Sequence, residues 1–286
     1  IGPFIGGELS NPASRWQYFE STIFDTYPYL LPCIVAGLLS MFSLIFAYWK
    51  LPESLPKGER TIIDQTNWIS RISLSITQSF SMLRIGSIST IIWVTMLFIF
   101  GFTIMHAVFI LYTGMGVELG GLGYNEAQNG RIFAVIGMAG IFTQAVLIGP
   151  LSRKFGAQRL LPISCLITGL GLILIPYTQA DWALLQMIIV VGLIAVGNGI
   201  FQPSSSSLLT TLAKQEGLNL GVVMGAQESV SSFARIIGPL TGGIVWTYTV
   251  SRAWPFDYHS AFHLCGILML SASLMALKLK AVTTSN

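Results

Sequence analysis

Charge is what this sequence has least of. Asp, Glu, Lys and Arg make up 9% of its 286 residues, against roughly 25% in a soluble globular domain. Fifteen basic and 12 acidic side chains cannot readily supply the polar surface of a soluble fold this long. Histidine and cysteine are also scarce, at three each. Cys33, Cys165 and Cys265 stand far apart inside apolar runs, the pattern of small buried packing residues rather than of disulfides or metal ligands. The net charge of +3 carries no nucleic-acid message. No nucleophile–base set or metal constellation gathers near one point, which argues against an enzyme. No metal or cofactor is implied.

What is abundant is apolar length. Hydrophobic residues reach 53% and the mean hydropathy is +0.70. A membrane-spanning helix needs about 20 mostly apolar residues. Such runs lie at 28–49, 87–112, 129–149, 160–177, 183–203, 219–246 and 261–279, and residues 1–9 read as the tail of another. The expected fold class is an all-α integral membrane bundle. Residues 51–85 differ, because they open with Pro52, Glu53, Pro56, Lys57, Glu59, Arg60 and Asp64. Trp68, Ile69, Ile72, Ile76, Phe80 and Leu83 follow at three- and four-residue spacing, which predicts an amphipathic helix on the membrane surface.

Lys and Arg in short loops set the orientation. With 51–85 cytoplasmic, Lys50, Lys57, Arg60, Arg71, Arg84, Arg153, Lys154, Arg159, Lys214, Lys278 and Lys280 fall inside, eleven of the fifteen. Arg15, Arg131 and Arg252 fall outside, and Arg235 lies within a span. Trp246, Tyr248, Trp254, Tyr258 and Tyr27 fit an outer aromatic belt.

One phrase occurs twice. IGPFIGG at 1–7 returns as IGPLTGG at 237–243, and both copies fall in the outer half of an outward-running helix. Proline removes an amide donor and frees the carbonyl four residues earlier, that of Arg235 in the case of Pro239. Glycines let a neighbouring backbone approach. Two copies at equivalent places point to a duplicated bundle of the carrier kind. The spacing of Gly225, Gly238, Pro239, Gly242 and Gly243, with Ala234 where glycine is preferred, resembles the antiporter motif of the major facilitator superfamily. Gly2, Pro3, Gly6 and Gly7 match the tail of the fifth-helix copy. GPLSRKFGAQRLL at 149–161 looks like the family's short cytoplasmic loop signature, matched by Gly149, Arg153, Lys154, Gly156 and Arg159. Its acidic residue is absent, with Arg153 in that place, so a tight basic turn is expected rather than a charge relay. YPYLLPC at 27–33, LPESLP at 51–56 and ELGGLGYNEAQNG at 118–130 resemble drug:proton antiporter-type members, fungal multidrug carriers and plant zinc-induced facilitators.

The resemblance implies that 1–50 ends the N-terminal six-helix half, that 51–85 is the central cytoplasmic linker, and that 86–286 is the C-terminal six-helix half. The chain would then be a C-terminal portion lacking helices one to four. It also implies a carrier that exports small organic compounds in exchange for protons by alternating access, monomeric when whole, in the plasma membrane or an endomembrane such as the vacuole. A non-transporting membrane receptor or scaffold, or an inactive truncated carrier, is the alternative.

Within the spans, charge needs a reason, since each mid-bilayer charge costs about 2.5–3.5 kcal/mol. Glu228 and Arg235 are seven residues apart, on one face but about 10 Å apart along the axis, so each is expected to find its own partner. Glu228 is the coupling or substrate-contacting candidate and Arg235 a gating one. Asn198 and Gln202 put amides on one helix face, and Pro203 frees the carbonyl of Gly199. Gln144 and His106 are further candidates. Phe98, Phe102 and Phe109 read equally as pocket lining or as packing. His259 and His263, four apart and near Asp257, have a zinc-compatible spacing without a secured third ligand, and read as interfacial polar residues.

Overall fold

The computed structural model describes residues 2–52, 85–178 and 183–279. The expected surface helix of the linker therefore lies outside the described residues. Among those residues all regular secondary structure is helical, and apart from single turns it comprises α1 (Gly2–Leu9), α2 (Leu30–Lys50), α3 (Gly86–Gly114), α4 (Glu126–Phe142), α5 (Ile148–Leu174), α6 (Ala183–Gln215), α7 (Leu220–Thr249) and α8 (His259–Ala276). Five stretches are long and apolar enough to cross a membrane: Leu30–Lys50, Gly86–Gly114, Glu126–Tyr177, Leu185–Gln215 and His259–Ala276. The expected runs 129–149 and 160–177 thus join into one helical stretch, broken only at Gly156, whose φ of 73° and ψ of 153° leave the helical region, while the expected span 219–246 forms the helix α7 but is not among the five. That conformation is essentially confined to glycine. The basic segment around it is helical up to the break, because Arg, Lys and Gln are good helix formers beyond the apolar zone.

Two compact units form, Ile1–Ser73 with Asn125–Phe133, and Leu74–Tyr124 with Ala134–Asn286. In the first, α1 packs on α2. Gly7 meets the first turns of α4 so closely that an added Cβ would stand 2.7 Å from the Glu126 carbonyl and 3.1 Å from Gly130 Cα. No residue of α2 is buried, as befits an apolar rod whose neighbours are lipid or other helices.

In the second unit, α3 packs on α7 and α8, and α5 packs on α6 and α8. Ile91, Ile92, Val94, Ile104 and Val108 of α3 are fully buried, as are Leu161, Leu172, Phe201, Phe262 and Met269. Lipid supplies no hydrophobic drive between helices, so close approach through small residues does the work. Gly101 lies against the Cys265 carbonyl, Gly169 against that of Gly266, and Gly197 against Thr168. Pro162 sits inside α5, and Ser273 of α8 donates to its carbonyl at 2.8 Å.

Candidate functional site

Helix α7 has two sides. Val223, Ala226, Ser231, Ala234, Gly238 and Gly242 are buried. An alanine Cβ at position 238 would lie 2.9 Å from Thr103 Cβ, and one at 242 would lie 3.2 Å from the Ile104 carbonyl. Small residues at fourfold spacing therefore seat α7 on α3. Gly225 and Gly243, by contrast, have nothing within 4 Å of an added Cβ, and the same holds for Gly2 and Gly6 in α1. The helix continues unbroken through Pro239.

Turned away from that seam are Glu228 and Arg235. Separate partners were expected for them, and here the structure corrects the sequence: Arg235 donates directly to Glu228 at 2.5 Å. The rise along the axis, about 10 Å, overstates their separation because long side chains on a helix lean toward its N-terminus. The guanidinium reaches back and the carboxylate meets it. Their side chains are 48% and 64% exposed respectively, so the other helices of this unit do not cover the pair.

Polar groups meet at Gln227, the residue before Glu228. Thr95 of α3 and Ser205 of α6 share a hydrogen bond of 2.9 Å, both buried. The Gln227 amide donates to each at 3.4 Å. The hydroxyl of buried Ser204 finds no hydrogen-bond partner among the described residues. Sequence reasoning passed over Thr95, Ser205 and Gln227, because single hydroxyls and amides in apolar runs acquire meaning only when three helices converge.

The amide candidates come from two helices that touch. Thr143–Leu147 is a π-helical turn between α4 and α5, a distortion common at functional sites. It carries Gln144, while the neighbouring Thr143 packs on Gly199 of α6, 2.9 Å from where a Cβ would stand. Gly199 lies between Asn198 and Gln202. Gln144 and Gln202 are exposed and Asn198 half-buried. His106 stands on α3 with its ring 4.6 Å from Phe102. Of the aromatic candidates, Phe98 and Phe109 belong to the core at 1% and 2% exposure, and Phe98 stacks on Phe201 at 3.6 Å between ring centres. In the basic turn, Arg153 donates to the Gly149 carbonyl at 3.4 Å and Lys154 lies over the Phe155 ring at 5.4 Å.

Each unit also carries a polar cluster at its helix ends. In the first unit Glu8 accepts from Arg131 at 2.9 Å and from Arg15 at 3.2 Å. It ties the end of α1 to the start of α4 just where Gly7 meets Gly130. Composition gave these two arginines only as outer charges. In the second unit His259 pairs with Asp257 at 2.9 Å and His263 with the Tyr177 hydroxyl at 3.0 Å. Burial, then the Asp257 carboxylate, push the Tyr258 phenol upward, so it stays a neutral hydroxyl. Among the described residues no three His, Cys, Asp or Glu side chains converge as metal ligands.

Comparison with known proteins agrees with this architecture. The family described as Major Facilitator Superfamily matches residues 1–239 and again 145–286. A protein of Arabidopsis thaliana described as a "probable peptide/nitrate transporter" is 26% identical over 273 residues, 88% of this chain and 54% of its own length. A class H tetracycline resistance protein of Pasteurella multocida is 24% identical, covering 88% and 55%. The zinc induced facilitator-like 1 protein of Arabidopsis thaliana is 23% identical, covering 88% and 55%. The chain thus spans about half the length of the curated relatives it matches.

Proposed function

The chain belongs to the major facilitator superfamily and is a multi-pass integral membrane protein, and we propose that it serves as the C-terminal portion of a secondary carrier exporting small, drug-like organic compounds in exchange for protons. In this reading residues 1–50 close the N-terminal half, 51–85 link the halves and 86–286 form the second half. The supporting observation is the Glu228–Arg235 pair. Arg235 is the sixteenth residue of a 30-residue helix, which in this reading spans the bilayer, so that the pair stands near its middle. A charged pair facing hydrocarbon there carries a large penalty. Its exposed face is therefore turned to a water-filled cavity or to another part of the protein, as substrate and ion sites of carriers are.

The carboxylate accounts for proton exchange through a two-state cycle. A proton taken up by Glu228 breaks the pair and leaves Arg235 free to meet an anionic or polar substrate group, and substrate entry reverses the change. Gln144, Asn198 and Gln202, gathered around the π turn, supply neutral hydrogen bonds to the same substrates. Alternating access further requires the outer side to close, and Glu8 with Arg131 and Arg15 is the proposed clasp. The drug-resistance and facilitator relatives support the substrate class. The test is Glu228→Gln in the protein expressed from its complete coding sequence and reconstituted in vesicles with an imposed pH gradient. Transport should lose its dependence on the gradient, or substrate binding should vanish. Full transport with normal pH dependence would refute the assignment.

A further inference from the structure

A groove opens between α5 and α8 at the end that carries the basic turn. It encloses about 510 Å³ and is lined by Gln158, Arg159, Pro162, Ile163, Leu166 and Leu277, among others. Its floor is tied by two cross-helix bonds: Gln158 donates to the Leu279 carbonyl at 2.8 Å, and Ser273 to that of Pro162 at 2.8 Å. From the groove an exposed apolar track continues along α5 through Ile163, Leu166, Leu170 and Leu174, flanked by Ile267 and Leu274 of α8 and by Leu277 just after it. Ile163 to Leu174 spans about 16 Å of helix, comparable to a folded-in acyl chain. At the head end stands Arg159. Among the described residues no carboxylate pairs with it or with the nearby Lys278. Arg153 and Lys154 lie in the same turn.

A cation without a counter-charge at one end of an apolar furrow matches one chemistry. We propose that this groove holds an anionic phospholipid of the cytoplasmic leaflet, its phosphate on Arg159 and an acyl chain along the α5–α8 seam. A zwitterionic lipid brings its own cation and gains less. Basic pockets between spanning helices on the cytoplasmic side bind such headgroups by this complementarity. The inference rests on the membrane reading and on the side assigned to the basic turn, but not on transport activity.

The experiment is native mass spectrometry of the protein expressed from its complete coding sequence, released from micelles containing phosphatidylglycerol or phosphatidylcholine of identical chains. Phosphatidylglycerol adducts should exceed phosphatidylcholine adducts. Arg159→Gln should weaken phosphatidylglycerol binding about fivefold, while Arg159→Lys retains most of it and Arg252→Gln changes nothing. Leu166→Trp, which fills the groove and leaves every charge in place, should lower binding of both lipids. Thermal unfolding of each variant identifies any that fail to fold. Equal adducts for the two lipids, or equal losses in Arg159→Gln and Arg252→Gln, would overturn the proposal. So would binding of soluble glycerol phosphate as tight as that of the lipid. Phosphatidylglycerol binding that emerges only after Glu53, Glu59 and Asp64 are neutralised would overturn it too, by naming the linker as occupant.

Discussion

Replacing Gly238 by alanine adds one methyl group at the tightest point of the α3–α7 seam. The new carbon would overlap Thr103 Oγ1 and stand 2.9 Å from Thr103 Cβ. Rotating Thr103 can move its hydroxyl, at the expense of its bonds to the Ile99 and Phe100 carbonyls at 2.9 and 3.0 Å, but it cannot move Cβ. The helices must part. Overpacking of this kind costs about 1–3 kcal/mol, and at about 2–4 °C per kcal/mol for a unit of this size the midpoint should fall by roughly 2–12 °C. Cys165 and Cys265 supply the assay. Both are fully buried while Cys33 is exposed, so in a Cys33→Ser background a fluorogenic thiol reagent reports unfolding alone. Gly242→Ala, where the nearest atoms are at 3.2–3.4 Å, should shift the midpoint less. Gly225→Ala and Gly243→Ala, with nothing within 4 Å, should leave it unchanged or raise it slightly, because alanine favours the helix. Adding Thr103→Ala to Gly238→Ala should recover part of the loss, a coupling expected only of residues in contact. Equal shifts for Gly238→Ala and Gly225→Ala would refute the packing argument.

Two further outcomes follow from the same geometry. Gly156→Ala meets no steric neighbour, so its cost is backbone strain alone, about 1–3 kcal/mol, readable in the same thiol assay as a midpoint loss that no second-site change nearby relieves. At the proposed clasp, Glu8→Arg should slow transport by setting three cations together, and Glu8→Arg with Arg131→Glu should restore much of it. No recovery in the double variant would remove Glu8 from the gating scheme.

The helices were legible because a bilayer demands long apolar runs, and those runs stand apart in this sequence. Their ends were less so. The run at 183–203 was expected to stop at Pro203, yet α6 continues to Gln215, since a proline inside a membrane helix is tolerated when neighbours take up the freed groups. The small-residue face of α7 was visible in the glycine spacing, but which glycines touch α3 was not, because spacing gives a face and not a neighbour. Glu228 and Arg235 stood out as charges within an apolar run, but the distance along the axis hid their pairing, which depends on the reach of the side chains. Glu8 with Arg131, and Thr95 with Ser205 and Gln227, join residues over a hundred positions apart. No local pattern announces them.

The π turn at Thr143–Leu147 holds one residue more than regular helix would need. Each residue of an α-helix advances the face by about 100°. Deleting one residue from 143–147 would let the backbone close into ordinary helix and swing residues 134–142 round by about that angle against α5. Substituting Gln144 changes what is displayed at that point, whereas shortening the turn changes which way the whole upstream face looks. Chain length here acts as an angular setting, adjustable by insertion or deletion and untouched by any exchange of side chains.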